Sequence, residues 1–203
     1  MGNISETRTT AVVLAAGAGR RLGKGPKALL PYRGRPLVEA VARALLDGGC
    51  REVVVVLGAG APDVAAIAEL DRYRTVVNTD WRSGMGSSFL LGNAAADPRD
   101  HLLIALVDQP GLTLRTVGRL LATHRPGRIT AAAYGDAGDG TVRRGHPLLI
   151  DVELRDAVAG TVTRDAGARG FLQAHPELVD EVDCSDQSTG QDVDTPEQLH
   201  LLG

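Results

Sequence analysis

The chain has 203 residues, a formal charge of −3, 43% apolar and 23% charged residues, ordinary figures for a soluble globular protein of one sizeable α/β domain spanning residues 1–203. The acidic balance argues against a nucleic-acid partner, which needs a basic face, and no stretch approaches the length of a membrane span. Met1 to Thr10 is polar and has no apolar signal region, and Cys50 and Cys184 stand in no metal-ligand or redox spacing, so a reducing cytoplasm is expected. Aromatic residues make up only 3%, so Ala, Val and Leu must build the core.

Ala11–Ala16 is an apolar run that reads as a buried parallel strand. It empties into a loop carrying Gly17, Gly19, Gly23 and Gly25 among Arg20, Arg21, Lys24 and Lys27. Glycines let a backbone approach a ligand and turn its N–H groups toward an anion, and the cations neutralise that anion. This is a place to hold a polyphosphate. It is not a Walker A loop, which would need glycine at Ala18. A dinucleotide fingerprint fits Gly17 and Gly19 but meets Leu22 at the third glycine. Pro26 and Pro31 forbid the helix that should follow, so the loop is expected to stay extended until a helix begins near Pro36.

Further strands are expected at Val53–Leu57, Thr75–Asn78, Leu102–Val107 and Ile129–Tyr134, with helices between them at Leu37–Leu46, Asp63–Leu70, Ser87–Ala96 and Leu114–His124. Such alternation means βαβ units and a mostly parallel sheet covered on both faces. Gly135–Gly140 reads as a loop or hairpin tip, and Thr141–Ile150 as a strand interrupted at Gly145-His146-Pro147. Short helices near Val152–Val158 and Ala166–Ala174, a strand at Val179–Val182 and a final helix capped by Thr195 complete the chain.

Leu14-Ala15-Ala16-Gly17, Gly19, Arg21-Leu22-Gly23 and Pro26-Lys27 through Pro31 together resemble the signature of the MobA-like nucleotidyltransferases, most closely the molybdenum cofactor cytidylyltransferase (MocA-like) branch. Lys24-Gly25 lengthens the family spacing by one residue. The resemblance implies a three-layer α/β/α sandwich of the nucleotide-diphospho-sugar transferase type. It also implies Mg²⁺-dependent transfer of a nucleotidyl group, CMP from CTP, to a phosphorylated acceptor such as molybdopterin, with release of pyrophosphate. On it, Leu14, Ala15, Ala16, Gly17, Ala18, Gly19, Arg21 and Lys27 hold the triphosphate, and Asn78, Gly86, Ser87 and Ser88 line the base and ribose pocket.

Asp108 stands at the carboxyl end of the strand before it, where open α/β sheets bind ligands, and a hard cation takes such carboxylates. Thr113 is better placed than Asp108 to cap the next helix. The resemblance brings Asp194, in Asp-Thr-Pro-Glu, to the metal as second acid, with Asp192 pointing the same way if the segment is extended. Acids before a helix are stabilising in any case. The Arg144-Gly145-His146-Pro147 segment resembles the Gly-His-Pro element of the MocA-like branch and is the expected wall for the acceptor. Ala16 is expected to crowd a purine. The alternatives are a sugar-phosphate nucleotidyltransferase, a MobA-type guanylyltransferase, a non-catalytic carrier, and a nicotinamide-dependent oxidoreductase, which the missing acid after Leu57 disfavours.

Overall fold

The computed structural model describes residues 8–135, 141–163 and 166–203. Residues 1–7 of the polar start, and residues 136–140 of the tip expected at Gly135–Gly140, lie outside them. The strands are β1 (Thr9–Ala15), β2 (Pro31–Tyr32), β3 (Arg35–Pro36), β4 (Glu52–Leu57), β5 (Arg74–Val77), β6 (His101–Leu106), β7 (Ile129–Gly135), β8 (Val142–Ile150) and β9 (Val179–Asp183). The helices are α1 (Leu37–Asp47), α2 (Ala61–Ile67), α3 (Met85–Ala95), α4 (Leu114–Thr123), α5 (Arg155–Thr161) and α6 (Arg169–Ala174).

A seven-stranded sheet runs in the order β5-β4-β1-β6-β8-β7-β9. Strand β1 lies between β4 and β6, parallel to both, and is buried along its whole length. Strand β8 runs antiparallel to both β6 and β7. Because successive side chains alternate across a strand, Ala11, Val13 and Ala15 join one core with α1, while Val12 and Leu14 join another beneath α3, α5 and α6. Helix α3 approaches closely because Gly92 is bare: a Cβ there would collide with Val12. The expected sandwich is therefore the observed one, with Ala, Val and Leu filling both cores.

The loop after β1 departs from its expected form. It is not extended: Gly19–Gly23 is a turn closed by Leu22 N–H to Gly19 O, and Lys27–Leu29 is a 3-10 helix set between the two prolines. Pro26 forbids a longer helix but suits the residue before a short one. Strands β2 and β3 form a small hairpin whose two tip residues, Arg33 and Gly34, have positive φ. Strand β8 is continuous through Gly145-His146-Pro147, and the interruption appears instead as a register shift against β7 between Ala131 and Ala133. The final helix is a 3-10 helix over Pro196–Leu202, with Thr195 and Gln198 forming a capping box. No helix among the described residues is long and apolar enough to cross a membrane.

Candidate active site

At the carboxyl edge of the sheet the first loop folds back on itself. A Cβ at Gly19 would collide with the Gly25 carbonyl, and Leu22 is buried in the core as an anchor. Gly17, Gly23 and Gly25 have nothing within 4 Å of an added Cβ, so they face open space. The second βα turn packs beneath: Ala59 N–H donates to Ala16 O at 3.0 Å, and a Cβ at Gly58 would stand 2.6 Å from the Ala16 methyl. Gly58 and Gly60 are thus close-packing residues. The Ala16 methyl is held against Gly58, and the Ala15 methyl lies in the core, so the Ala15 backbone rather than its side chain faces any ligand. Ala18 is half-buried in the open part of the loop.

The 3-10 helix aims Lys27 at the end of β6. Its ammonium donates to Asp108 Oδ2 at 2.7 Å and to Asp194 Oδ1, while Arg21 stands 3.5 Å from Asp194 Oδ2. Burial alone would lower the Lys27 pKa, but the charge of Asp108 and hydrogen bonds to both carboxylates hold it above its ordinary value. The Lys27 hydrogen bond lowers Asp194. Asp194 is fixed by its backbone: its N–H and that of Thr195 both donate to Gln198 Oε1, at 2.8 and 2.9 Å. One residue earlier Val193 is fully buried, and its N–H donates to Asp108 O at 2.8 Å. That bond locks the last segment against β6. Asp192 lies alongside, accepting from Gln109 Nε2 at 2.8 Å, with its pKa raised by burial and by the charge of Asp108.

The residues expected to line the base and ribose pocket form a closed knot. Asn78 Nδ2 donates to Ser87 Oγ at 2.8 Å and to Ser88 Oγ at 3.0 Å, and Asn78 Oδ1 accepts from Asp80 N–H at 2.9 Å. A Cβ at Gly86 would stand 2.5 Å from Thr163 O, so that glycine admits the 162–163 segment. Asn78 spends its amide nitrogen on Ser87 and Ser88, and Ser87 Oγ donates to Gly84 O at 2.9 Å, organising the start of α3.

On the α3 side of the sheet a cavity of about 580 Å³ opens beside this cluster. Leu14, Phe89, Ile104, Leu106 and Leu148 make its apolar wall, and Arg143, Arg144, His146, Arg169, Gln109 and Asp192 line its polar side. Of the expected acceptor segment, Arg144, Gly145 and His146 line it, whereas Pro147 is buried in β8 and does not. Burial, helped by the charge of Arg169, pushes the His146 imidazole down to about 4, so it is neutral at pH 7. Gln109 and Arg169 escaped the sequence reading. Gln109 is flagged only by adjoining Asp108, and Arg169 by no local signal.

Residues 11–179 match the model of the MobA-like NTP transferase domain. The chain belongs to this family. A molybdenum cofactor guanylyltransferase from Xanthomonas euvesicatoria is 31% identical over 199 residues, covering 95% of this chain and 93% of that protein. A nucleotidyl transferase structure from Methanothermobacter superposes with a TM-score of 0.81 at 25% identity, covering 96% of each chain. A Mycobacterium tuberculosis protein solved with manganese superposes with a TM-score of 0.77 at 29% identity, covering 97% of this chain and 98% of that one. The MobA-like domain here is also 63% identical, over all 203 residues and the whole of both proteins, to a nicotine blue oxidoreductase of Paenarthrobacter nicotinovorans.

A divalent cation, which the family implies, fits the residues present. Asp108 Oδ1 is buried without a hydrogen-bond partner among the described residues, and Asp108, Asp192 and Asp194 offer only oxygen, the donor set of a hard ion.

Proposed function

We propose that the protein is a nucleotidyltransferase that moves CMP from CTP to a phosphorylated acceptor of the molybdopterin kind. The observation that carries this reading is Lys27 held between Asp108 and Asp194, at a strand's carboxyl edge beside the open Gly17. Lys27 and Arg21 hold the β- and γ-phosphates, and Lys27 exchanges its carboxylate partners for them. Leu14 to Gly19 lie along the nucleotide, with Asn78, Gly86, Ser87 and Ser88 shaping the base and ribose side through the start of α3. Asp108 and Asp194 would hold Mg²⁺, which when bound supplies neutralisation of the triphosphate charge.

The acceptor enters the cavity against Arg144, Gly145 and His146. Its phosphate attacks the α-phosphorus in line and pyrophosphate leaves. A phosphomonoester has a second pKa of about 6, so it is mostly dianionic at pH 7 and needs no general base. His146, with its pKa pushed down to about 4, would be a weak base. Catalysis is then positioning and charge neutralisation by side chains already in place.

A second reading rests on the 63% identity to an oxidoreductase. Under it, the cationic loop holds the pyrophosphate of a nicotinamide dinucleotide, and the partly apolar cavity holds the compound reduced. Strand β4 ends at Leu57 and runs into Gly58 with no acid for a ribose, which weighs against this binding mode. One assay separates the two. Purified protein is offered CTP, GTP, ATP and UTP with phosphorylated acceptors, reading pyrophosphate, and in parallel NADH and NADPH with quinonoid acceptors, reading absorbance. Pyrophosphate from CTP with the pterin cofactor supports the first reading. Nucleotide oxidation without pyrophosphate replaces it with the second, and faster turnover of GTP or of a sugar phosphate moves the chain to another branch.

A further inference from the structure

At the opposite, amino edge of the sheet, three side chains converge that the transferase chemistry does not use. His101 opens β6, His124 follows α4, and Asp151 follows β8. Asp151 Oδ2 lies 3.3 Å from His101 Nδ1 and 3.4 Å from His124 Nε2, and the three ligand atoms all lie within 4.8 Å of one another. The His124 and Asp151 side chains are each only 3% exposed, and that of His101 is 18% exposed.

The hydrogen bonds around the cluster leave acceptor positions free on His124 and Asp151, while the Val152 amide holds the one on His101. Val152 N–H donates to His101 Nδ1 at 3.0 Å, so that nitrogen carries no proton. His124 Nδ1 lies 2.8 Å from Thr130 Oγ1, and in the tautomer whose Nδ1–H donates there Nε2 presents its lone pair. His124 Nε2 is buried and has no hydrogen-bond partner among the described residues. Asp151 Oδ1 is taken by Glu153 N–H at 2.9 Å, which leaves Oδ2 free. With both nitrogens unprotonated, His101 Nδ1, His124 Nε2 and Asp151 Oδ2 repel one another unless a proton or metal cation lies between them. Zinc bonds of about 2.0–2.1 Å place tetrahedral nitrogen and oxygen ligands about 3.3–3.4 Å apart, the separation seen on both Asp151 edges, while the two imidazole nitrogens lie within 4.8 Å and would be drawn together by the ion. Thr130 and the Glu153 amide are the outer partners that orient such ligands.

We propose that His101, His124 and Asp151 form a binding site for one borderline divalent transition ion, Zn²⁺ in the first place, which clamps β6, β8 and the end of α4 together. The site takes the ion in exchange for the Val152 amide on His101 and keeps its fourth position for water. Two imidazoles and one carboxylate select this ion class over Mg²⁺. About 20 Å of β6 separates it from Asp108, so its role is structural.

The test uses the full chain, stripped of metal by chelator and held in excess Mg²⁺ to fill the oxygen site. Zn²⁺ titration by calorimetry should give one equivalent and a raised Tm, and Co²⁺ should give the intense visible bands of a four-coordinate site. His124→Gln and Asp151→Asn should lose the Co²⁺ bands, and Thr130→Val should keep them while weakening Zn²⁺ binding roughly 10- to 100-fold. The proposal is overturned if the wild type takes up no Zn²⁺ at micromolar concentration, leaving protons as the only cations of the cluster. It is equally overturned if both ligand variants bind as the wild type does. The Co²⁺ spectrum of the wild type stands even if a variant fails to fold.

Discussion

The two edges of the sheet treat buried charge in opposite ways. At the carboxyl edge Asp108 and Asp194 are neutralised by Lys27, a flexible side chain from a loop, and Asp194 is still partly exposed. At the amino edge Asp100 is fully buried, accepting from Thr10 and Arg51, and the buried Arg155 donates to Asn93 and to the carbonyls of Asn93, Asp97 and Asp100. A guanidinium spread over fixed carbonyls cannot exchange partners without unfolding its surroundings. An ammonium between two carboxylates can. The first arrangement holds structure, and the second is ready to trade a carboxylate for a phosphate.

Breaking each edge should therefore give a different phenotype. Asp108→Ala should lower pyrophosphate release by orders of magnitude with little change in Tm, since the loss is one of electrostatic stabilisation at the reacting phosphate. Near-normal turnover at saturating Mg²⁺ sinks the assignment. Arg155→Met should do the reverse, costing about 3 kcal/mol by leaving buried carbonyls unpaired. In a domain of this size that is a fall in Tm of roughly 6–12 °C, with the KM for nucleotide unchanged. A variant with wild-type Tm would remove the contrast between the edges.

Lys27→Ala should weaken CTP binding by roughly 10- to 100-fold, the scale of a lost charge-assisted hydrogen bond, and CMP binding much less. Arg21→Ala should follow the same pattern more weakly, because that side chain is 78% exposed. Calorimetry with both nucleotides decides it: equal losses for CTP and CMP would mean that these residues do not touch the outer phosphates.

The pH dependence of stability separates further groups. With its pKa lowered by Lys27, Asp194 contributes stability that is present above the ordinary carboxylate value and lost as pH falls through its folded value. His146 has its pKa lowered from 6.5 to about 4, so between those values the unfolded chain binds a proton that the folded chain does not. Stability should fall as pH drops across that window, and His146→Gln should flatten it, as denaturant unfolding at stepped pH will read. An unchanged slope would mean that the imidazole charges freely. The smallest effect expected is Ala16→Gly. Its methyl rests on Gly58, so the CTP to GTP ratio of kcat/KM should move by no more than about tenfold, the low end for one methyl group. A larger shift would mean that the Ala16 methyl meets the base directly.

The sequence by itself determined the layered α/β architecture, because a strand buried on both faces is an unbroken apolar run and a covering helix has its own period. It also determined the cationic glycine loop and the carboxylate after β6, since both are local consequences of where a strand ends. The tertiary structure alone decided that β8 inserts antiparallel between β6 and β7, because pairing partners are chosen by distant segments and not by a strand's own pattern. It likewise decided that Lys27 meets Asp194 across 167 residues, and that Asn78 donates to both Ser87 and Ser88. It brought Gln109 and Arg169 to one cavity wall, and His101, His124 and Asp151 to one point. Each of these depends on the ends of several strands meeting at a sheet edge. Residue spacing carries no trace of such meetings, because each strand records its own periodicity and not the identity of its neighbours.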